Sequence, residues 1–268
     1  MSARYLYIIF IVFIVSIILS ANVNATTPEI LHQANTLYEK GSYAEAIDLY
    51  KSAINSGTIN GDIYYNIGNS YYRLSKIGEA IFYYKLALRY NPENGDIKFN
   101  LNWAQAKAID KIQDQNIFSI EKISNYLPLN SKDSFYLLAI FSLLFWGILI
   151  YSLFREHKGE HRGEHKRSEL IKWVKILSFT FFILFVLISS IKFLNNGRDF
   201  GVITNKEASV YSASGKDNVV LFTLHEGAEF EINDKLEDWF QIKLNDGKRG
   251  WIKSKDSIST IIINTIKN

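Results

Sequence analysis

The chain contains no cysteine and only three prolines among its 268 residues. Without cysteine it can form no disulfide, no thiolate metal site and no cysteine nucleophile. A basic surplus is missing as well, because residues 26–133 hold 11 basic and 12 acidic side chains and residues 195–268 hold 10 and 11. Neither region has the positive charge that nucleic-acid binding requires, so we expect no nucleic-acid partner.

A catalytic constellation is missing too. The sequence shows no glycine-rich phosphate loop and no serine, histidine and aspartate set that can be argued to act together. The five histidines are dispersed, with His32 and His225 far from the group in one charged loop: His157, His161 and His165. We therefore expect neither an enzyme nor a cofactor.

The three loop histidines are spaced four residues apart, which on a helix would stack them on one face and could hold a metal. Gly159 and Gly163 weaken a helix at this place. A solvated loop is therefore favoured over a metal site, and no metal is expected.

Two long apolar runs lie in the middle of the chain. Residues 134–154 carry no formal charge and, as a helix, would measure roughly 31 Å, close to the ~30 Å core of a bilayer. Residues 172–194 form the second run, with an uncharged centre of 16 residues between Lys175 and Lys192. The runs predict two transmembrane helices joined by the loop of residues 155–171. A pair of buried core helices is the alternative.

The first residues and the loop predict where the chain resides. Residues 1–25 combine Arg4 with an apolar run and small residues, which is typical of a secretory signal peptide, the alternative being an uncleaved anchor. Residues 155–172 hold six lysines and arginines, which predicts a cytoplasmic loop. We therefore expect a two-pass protein of the bacterial inner membrane, with the regions on either side of the hairpin in the periplasm.

A 34-residue repeat occupies the region after the leader. Its first copy has Ala34, Glu45, Ala46, Tyr50 and Ala53, and the second has Gly68, Glu79, Ala80, Tyr84 and Ala87. This pattern resembles the tetratricopeptide repeat, a helix–turn–helix unit. It predicts an all-α solenoid over residues 26–112, made of two repeats and a capping helix, because FNLNWAQ aligns with YNIGNSY. Residues 113–133 are expected to be a connector.

The resemblance also implies a peptide-binding groove lined by the first helix of each repeat. The groove positions of the family match six residues here: Asn35, Tyr38, Tyr65, Asn69, Tyr72 and Arg73. Such side chains can pair with backbone amides, supply rigid contact area or bind a carboxylate. The alternative is that they are simply common at these positions of the repeat.

Five short segments rich in β-branched and aromatic residues follow the second apolar run and are predicted to be strands: residues 208–212, 219–224, 229–233, 239–244 and 250–252. Turn clusters such as Asp246-Gly247 separate them. The last segment consists of Gly250, Trp251 and Ile252, and the whole series resembles bacterial SH3-like domains over residues 201–257. The resemblance predicts a small all-β barrel followed by a tail, residues 258–268. An aromatic surface is expected from Tyr211, Trp239, Phe240 and Trp251, although Trp239 and Trp251 could instead belong to the core.

The order of leader, tetratricopeptide repeats, apolar hairpin and SH3-like domain resembles the BatE-like membrane proteins of bacterial aerotolerance operons. The resemblance implies partners with von Willebrand A domains, a MoxR-type ATPase and a role in stress tolerance. The hypothesis from sequence is thus a non-enzymatic, membrane-anchored adaptor. The alternative is a cell-envelope module that binds peptidoglycan through its SH3-like domain.

Overall fold

The computed structural model describes residues 28–111, 131–157, 165–196, 198–215 and 218–261. The chain divides into two compact units, one ending at Ile59 and the other beginning at Asn60. The predicted signal peptide, most of the predicted connector, the middle of the charged loop and the end of the tail lie outside the described residues. Their assignments stay predictions.

The first unit contains two helices, α1 (Pro28–Glu39) and α2 (Tyr43–Asn55). Ala34 on α1 and Ala46 on α2 are fully buried, and such small side chains allow two helices to approach closely. The Tyr50 hydroxyl then reaches α1 and donates to Asn35 Oδ1 at 2.6 Å. Two small residues and a partly buried tyrosine–asparagine hydrogen bond thus define the packing of this hairpin.

The second unit begins with three helices, α3 (Gly61–Arg73), α4 (Ile77–Tyr90) and α5 (Gly95–Lys107). Asn60 caps α3 by accepting from the Ile63 amide at 2.9 Å, and Asn94 caps α5 in the same way. These caps lie one repeat apart, and each satisfies backbone donors that a helix start leaves without a partner. An asparagine N-cap therefore marks the start of both α3 and α5.

The turn inside each repeat is conserved between the two copies. Gly41 has a φ of 82° and its equivalent Ser75 has a φ of 58°, so both are left-handed. The next residue donates to a carbonyl five positions back, as Ser42 does to Leu37 and Lys76 to Tyr71. This geometry ends a helix by satisfying its last carbonyls. Because Ser75 has a Cβ, its left-handed conformation carries a steric penalty of about 1–2 kcal/mol.

Four tyrosines pack together between α3 and α4. The Tyr83 ring lies 5.4 Å from that of Tyr71 and 6.3 Å from that of Tyr64, which in turn contacts Tyr90. Burial, reinforced by the neighbouring tyrosines and Glu79, raises the pKa of Tyr83 well above its ordinary value. Burial also raises the pKa of Tyr64, although its hydrogen bond with Tyr90 opposes the shift.

These pKa shifts predict alkaline unfolding. Because the folded pKa exceeds the unfolded value of about 10, the stabilisation is complete below that pH and is lost as pH rises above it. Tyr83→Phe should reduce the steepness of this loss by about 1.4 kcal/mol per pH unit. The measurement is denaturant unfolding at a series of alkaline pH values. Phe82→Leu, which removes no ionisable group, should lower stability while leaving the steepness unchanged; an equal slope in Tyr83→Phe would contradict the assignment.

Two long helices follow, α6 (Ser131–His157) and α7 (His165–Asn196). They pack through phenylalanine rings. Phe141 stacks on Phe185 with ring centroids 4.7 Å apart and on Phe181 at 5.6 Å, and Phe145 stacks on Phe182 at 5.7 Å. The predicted helical hairpin is therefore present in the described structure.

The prediction that this hairpin spans a membrane was wrong. In the described part of the chain, no helix combines the length and the apolar character that crossing a membrane requires. In α7 the uncharged centre of 16 residues would extend about 24 Å, short of the ~30 Å bilayer core. Hydroxyl-bearing residues also interrupt the apolar run of α7; Thr180 and Ser190, for example, donate their hydroxyls to the carbonyls of Ile176 and Val186.

The rest of the second unit is an antiparallel sheet, as the SH3-like resemblance predicted. Its strand order is β3-β2-β6-β5-β4-β1-β7. The strands are β1 (Phe200–Ile203), β2 (Glu207–Tyr211), β3 (Val220–His225), β4 (Glu229–Leu236), β5 (Trp239–Lys243), β6 (Arg249–Lys253) and β7 (Ser257–Ser259). The sheet encloses a core that includes Ile203, Val210, Phe230, Phe240 and Ile252. The Asp246-Gly247 turn joins β5 to β6, and Gly247 has the left-handed φ of 89°.

The sheet is docked on α4 and the end of α5. Phe82 of α4 is completely buried, and its ring lies 5.2 Å from that of Phe200 in β1. The Arg89 guanidinium lies 4.5 Å from the centre of the Phe200 ring and donates to the Arg198 carbonyl. An aromatic contact and a cation–π contact thus form the centre of the interface.

Polar contacts surround this centre. Glu229 accepts from Lys85 at 2.6 Å and from Gln105 at 2.5 Å, and so ties the sheet to both helices. Asp110, just after α5, accepts from the His225 amide at 2.6 Å and lies 3.0 Å from His225 Nδ1. Charged hydrogen bonds that are partly shielded from water are stronger than exposed ones, so this ring of contacts fixes the docking geometry.

Candidate functional site

Four polar side chains form a hydrogen-bonded centre where α3, α4 and α5 meet. Asn69 Oδ1 accepts from the Tyr84 hydroxyl at 2.8 Å and from Asn100 Nδ2 at 2.9 Å. Asn100 Nδ2 also donates to the Tyr65 hydroxyl at 2.9 Å. Of the predicted groove residues, Tyr65 and Asn69 are therefore brought together. The oxygen of Asn69 already holds two donors, so Asn69 positions its neighbours.

Tyr72 and Lys107 form the second part of this site. Lys107 Nζ lies 4.3 Å from the centre of the Tyr72 ring, close enough for a cation–π interaction. Arg73 is exposed at the last turn of α3, one residue further on. The acidic residues Asp62 and Asp96 lie in the first turns of α3 and α5. The two helices consequently have an acidic beginning and a basic end.

The remaining predicted groove residues, Asn35 and Tyr38, lie on α1 in the first unit. Asn35 holds the Tyr50 hydroxyl as Asn69 holds that of Tyr84, one repeat later. The Tyr38 ring packs edge-on against Tyr43, with centroids 5.3 Å apart. The structural role of the two asparagines is thus the same in both repeats.

The sequence reasoning did not identify Phe99, Asn100, Trp103 or Lys107 as site residues. Phe99 and Trp103 are exposed, and Asn100 and Lys107 contact α3 directly. The repeat pattern could have identified three of them, since the 34-residue offset relates Phe99 to Tyr65, Trp103 to Asn69 and Lys107 to Arg73. They were missed because α5 was predicted to be only a capping helix.

The SH3-like sheet has a separate aromatic face. The rings of Tyr211 and Trp239 meet edge-on at 5.4 Å, Trp251 is the strand partner of Tyr211, and Lys253 Nζ lies 5.8 Å from the Trp239 ring. Tyr211, Trp239 and Trp251 are half-buried. The prediction that Phe240 belongs to this aromatic face was wrong. Its side chain points to the other side of β5, where it is 0% exposed and lies in the core. Alternation along a strand puts neighbouring residues on opposite faces.

The histidines bring no metal site together in the described residues. His157 ends α6 and His165 begins α7, while His161 lies outside the described residues. Among the residues that the structure describes, no group of three or more histidine, aspartate or glutamate side chains could hold an ion. His225 pairs with Asp110, and His32 is exposed on α1.

Comparison with protein families agrees with both halves of this architecture. Residues 61–94 match the family model of the tetratricopeptide repeat, and residues 34–75 match that of the TPR repeat. Residues 204–256 match the family model of the bacterial SH3 domain. The predicted tetratricopeptide repeats and bacterial SH3-like domain are confirmed. Both are typical non-catalytic interaction modules. A search of curated proteins finds no match for the chain.

Proposed function

We propose that the chain is a non-enzymatic adaptor that binds a peptide segment of a partner protein on helices α3 and α5. The observation that carries the proposal is the α3–α5 surface, where Tyr65, Asn69 and Asn100 are fixed by hydrogen bonds and Lys107 is held over Tyr72. Side chains that are already ordered lose little conformational entropy on binding. A rigid aromatic and polar surface of this kind suits peptide recognition.

The finer parts of the proposal derive from the resemblance to BatE-like proteins. The first partners to test are proteins with von Willebrand A domains and a MoxR-type ATPase, in a complex for stress or aerotolerance. Export to the cell envelope, supported by the leader-like residues 1–25, belongs to the same proposal.

The test is in-cell cross-linking of the full chain, followed by identification of the captured proteins. Tyr72→Ala should reduce capture of a specific partner several-fold, because it removes an aromatic contact and frees Lys107. Ile109→Ala is the matched control, since Ile109 is an exposed apolar residue beyond the end of α5. Asn69→Ala is less suitable because it also breaks the bonds to Tyr84 and Asn100. Equal capture by Tyr72→Ala and Ile109→Ala would count against the groove.

The aromatic face of the sheet favours a second function, binding of peptidoglycan. Aromatic rings can pack against sugars, and those of Tyr211 and Trp239 are partly exposed here, with Lys253 beside Trp239. The full chain should sediment with purified cell wall, and Tyr211→Ala should release most of it. Ile109→Ala again serves as the control. A chain that stays in the supernatant excludes this second function.

A further inference from the structure

Helix α5 carries two aromatic side chains outside the buried core of the helical region. Phe99 is 60% exposed and Trp103 is 55% exposed, and their rings meet edge-on at 6.0 Å. The buried face of the helix consists of Ile97, Leu101 and Ala104. Single exposed apolar residues are common, whereas two adjoining exposed aromatic rings form a continuous apolar surface, a feature that favours an interaction site.

The position of these rings on α5 follows from its contacts with α3. Asn100 bonds to Tyr65 and Asn69, and Lys107 covers Tyr72. Trp103 lies three residues after Asn100 and four before Lys107, so it shares their side of the helix. Phe99 lies four residues before Trp103, one helical turn closer to the start of α5. The side chains of Phe99, Trp103 and Lys107 therefore form one stripe along α5, which we call the α5 stripe.

The charge along the α5 stripe has a direction. Asp96 lies in the first turn of α5, whereas Lys107 lies in the last turn. Lys111 is engaged at the end of the helix, where its Nζ donates to the carbonyls of Gln105 and Ala106 at 3.0 Å. The charge of Asp96 consequently repels a carboxylate near the start of the stripe, and that of Lys107 attracts one at its end.

We propose that the α5 stripe binds a helical peptide segment of a partner protein that presents two apolar side chains one turn apart and an acidic side chain one turn further. The apolar side chains pack on Phe99 and Trp103, and the carboxylate pairs with Lys107. One turn of a peptide helix rises about 5.4 Å, which matches the spacing of the two rings. The inference rests on the proposed function and specifies the chemistry of its partner.

The test uses the full chain and a fluorescently labelled, alanine-rich helical peptide with two leucines one turn apart and a glutamate one turn on. Anisotropy should show saturable binding. Trp103→Ala should weaken it by about tenfold or more, since a truncated aromatic anchor typically loses over 1 kcal/mol. Ile109→Ala, 68% exposed near the same helix, should bind as the unaltered chain does. Circular dichroism should confirm that Trp103→Ala folds, because its side chain lies outside the core.

Removing the charge from Lys107 or from the peptide tests the acidic contact. Lys107→Gln should weaken the glutamate peptide several-fold but leave a glutamine version of the peptide unaffected. No binding by the unaltered chain, equal binding by Trp103→Ala, or equal loss for both peptides overturns the inference. So does a dimer in sedimentation velocity that Trp103→Ala abolishes, because a second copy would then occupy the stripe. Partner capture that depends on Tyr72 but not on Trp103 would refute the stripe and leave the proposed function standing.

Discussion

Replacing Gly78 with alanine should detach the SH3-like sheet from the helical repeats. Gly78 lies near the start of α4, and an added Cβ would stand 2.3 Å from the carbonyl oxygen of Ile203 and 3.1 Å from Thr204 Cα. Both are backbone atoms, so neither can move aside as a flexible side chain could. The Gly78 amide also donates to Glu226 at 3.1 Å, and this bond would be lost on separation.

Gly95 provides the matched control for this experiment. It is the first residue of α5, and an added Cβ there meets no atom within 4 Å. Because alanine favours helix over glycine by up to about 1 kcal/mol, Gly95→Ala should leave stability unchanged or raise it. Gly78→Ala should instead destabilise the docked state by about 1–3 kcal/mol, the usual effect of overpacking.

Hydrogen–deuterium exchange measures the effect directly. The segments around Ile203 and Gly227 should exchange about tenfold faster or more in Gly78→Ala, because that is the population change produced by 1.4 kcal/mol. Both segments lie at the interface, where a Cβ on Gly227 would already be 2.9 Å from Ala108 Cβ. Unchanged exchange in Gly78→Ala would show that the interface does not hold the sheet.

Phe240→Ala should produce the largest loss of stability within the sheet, about 3–5 kcal/mol. Its side chain is 0% exposed and packs in the core with Ile242 and Ile252 of the same and neighbouring strand. Truncation to alanine leaves a cavity that a closely packed core cannot fill. Denaturant unfolding, followed by tryptophan fluorescence, gives the difference in the free energy of unfolding.

Leu236→Ala is the control for this truncation. Leu236 is 51% exposed at the end of β4, so its loss should change the free energy of unfolding by no more than about 0.5 kcal/mol. If the two variants were equally stable, Phe240 would not be a core residue, and the aromatic surface first predicted from the sequence would have to be restored.

The helical repeats could be predicted because their signals are local. The period of 34 residues repeats the buried Tyr50 at Tyr84, and the asparagine caps recur at the same interval. The sheet was predicted less completely. Strands β1 and β7 were missed, since each has only three or four residues and β1 pairs with β4 and β7, far along the chain. Burial of such short strands is decided by distant partners.

The docking of the sheet on the helices was not predicted, although two positions of the second repeat differ from the first in a way that indicates it. Asp48 is exposed on α2, but its equivalent on α4 is Phe82, which is buried against Phe200. Asn55 is likewise replaced by Arg89, which contacts the same ring. These departures from the repeat mark the interface. A single sequence does not show what lies opposite them, so the partner surface could not be named.

The candidate site was also predicted only in part, because a single sequence does not show which side chains bond to one another. The groove positions came from the repeat pattern, but hydrogen bonding assigns a supporting role to Asn69 and brings in Asn100, which the pattern alone did not single out. On the sheet, alternation along β5 should have separated Trp239 from Phe240, and a stricter application of that rule would have placed Phe240 in the core.

The sheet covers part of α4 and the end of α5, where a further repeat stacked on these helices would have to pack. A further repeat could therefore be added at this end only if the sheet were displaced. A duplicated unit inserted after α5 would separate Gln105 from Glu229 and Asp110 from His225. Repeat proteins commonly diversify by gaining or losing units, and in this chain the docked sheet opposes the gain of a unit beyond α5.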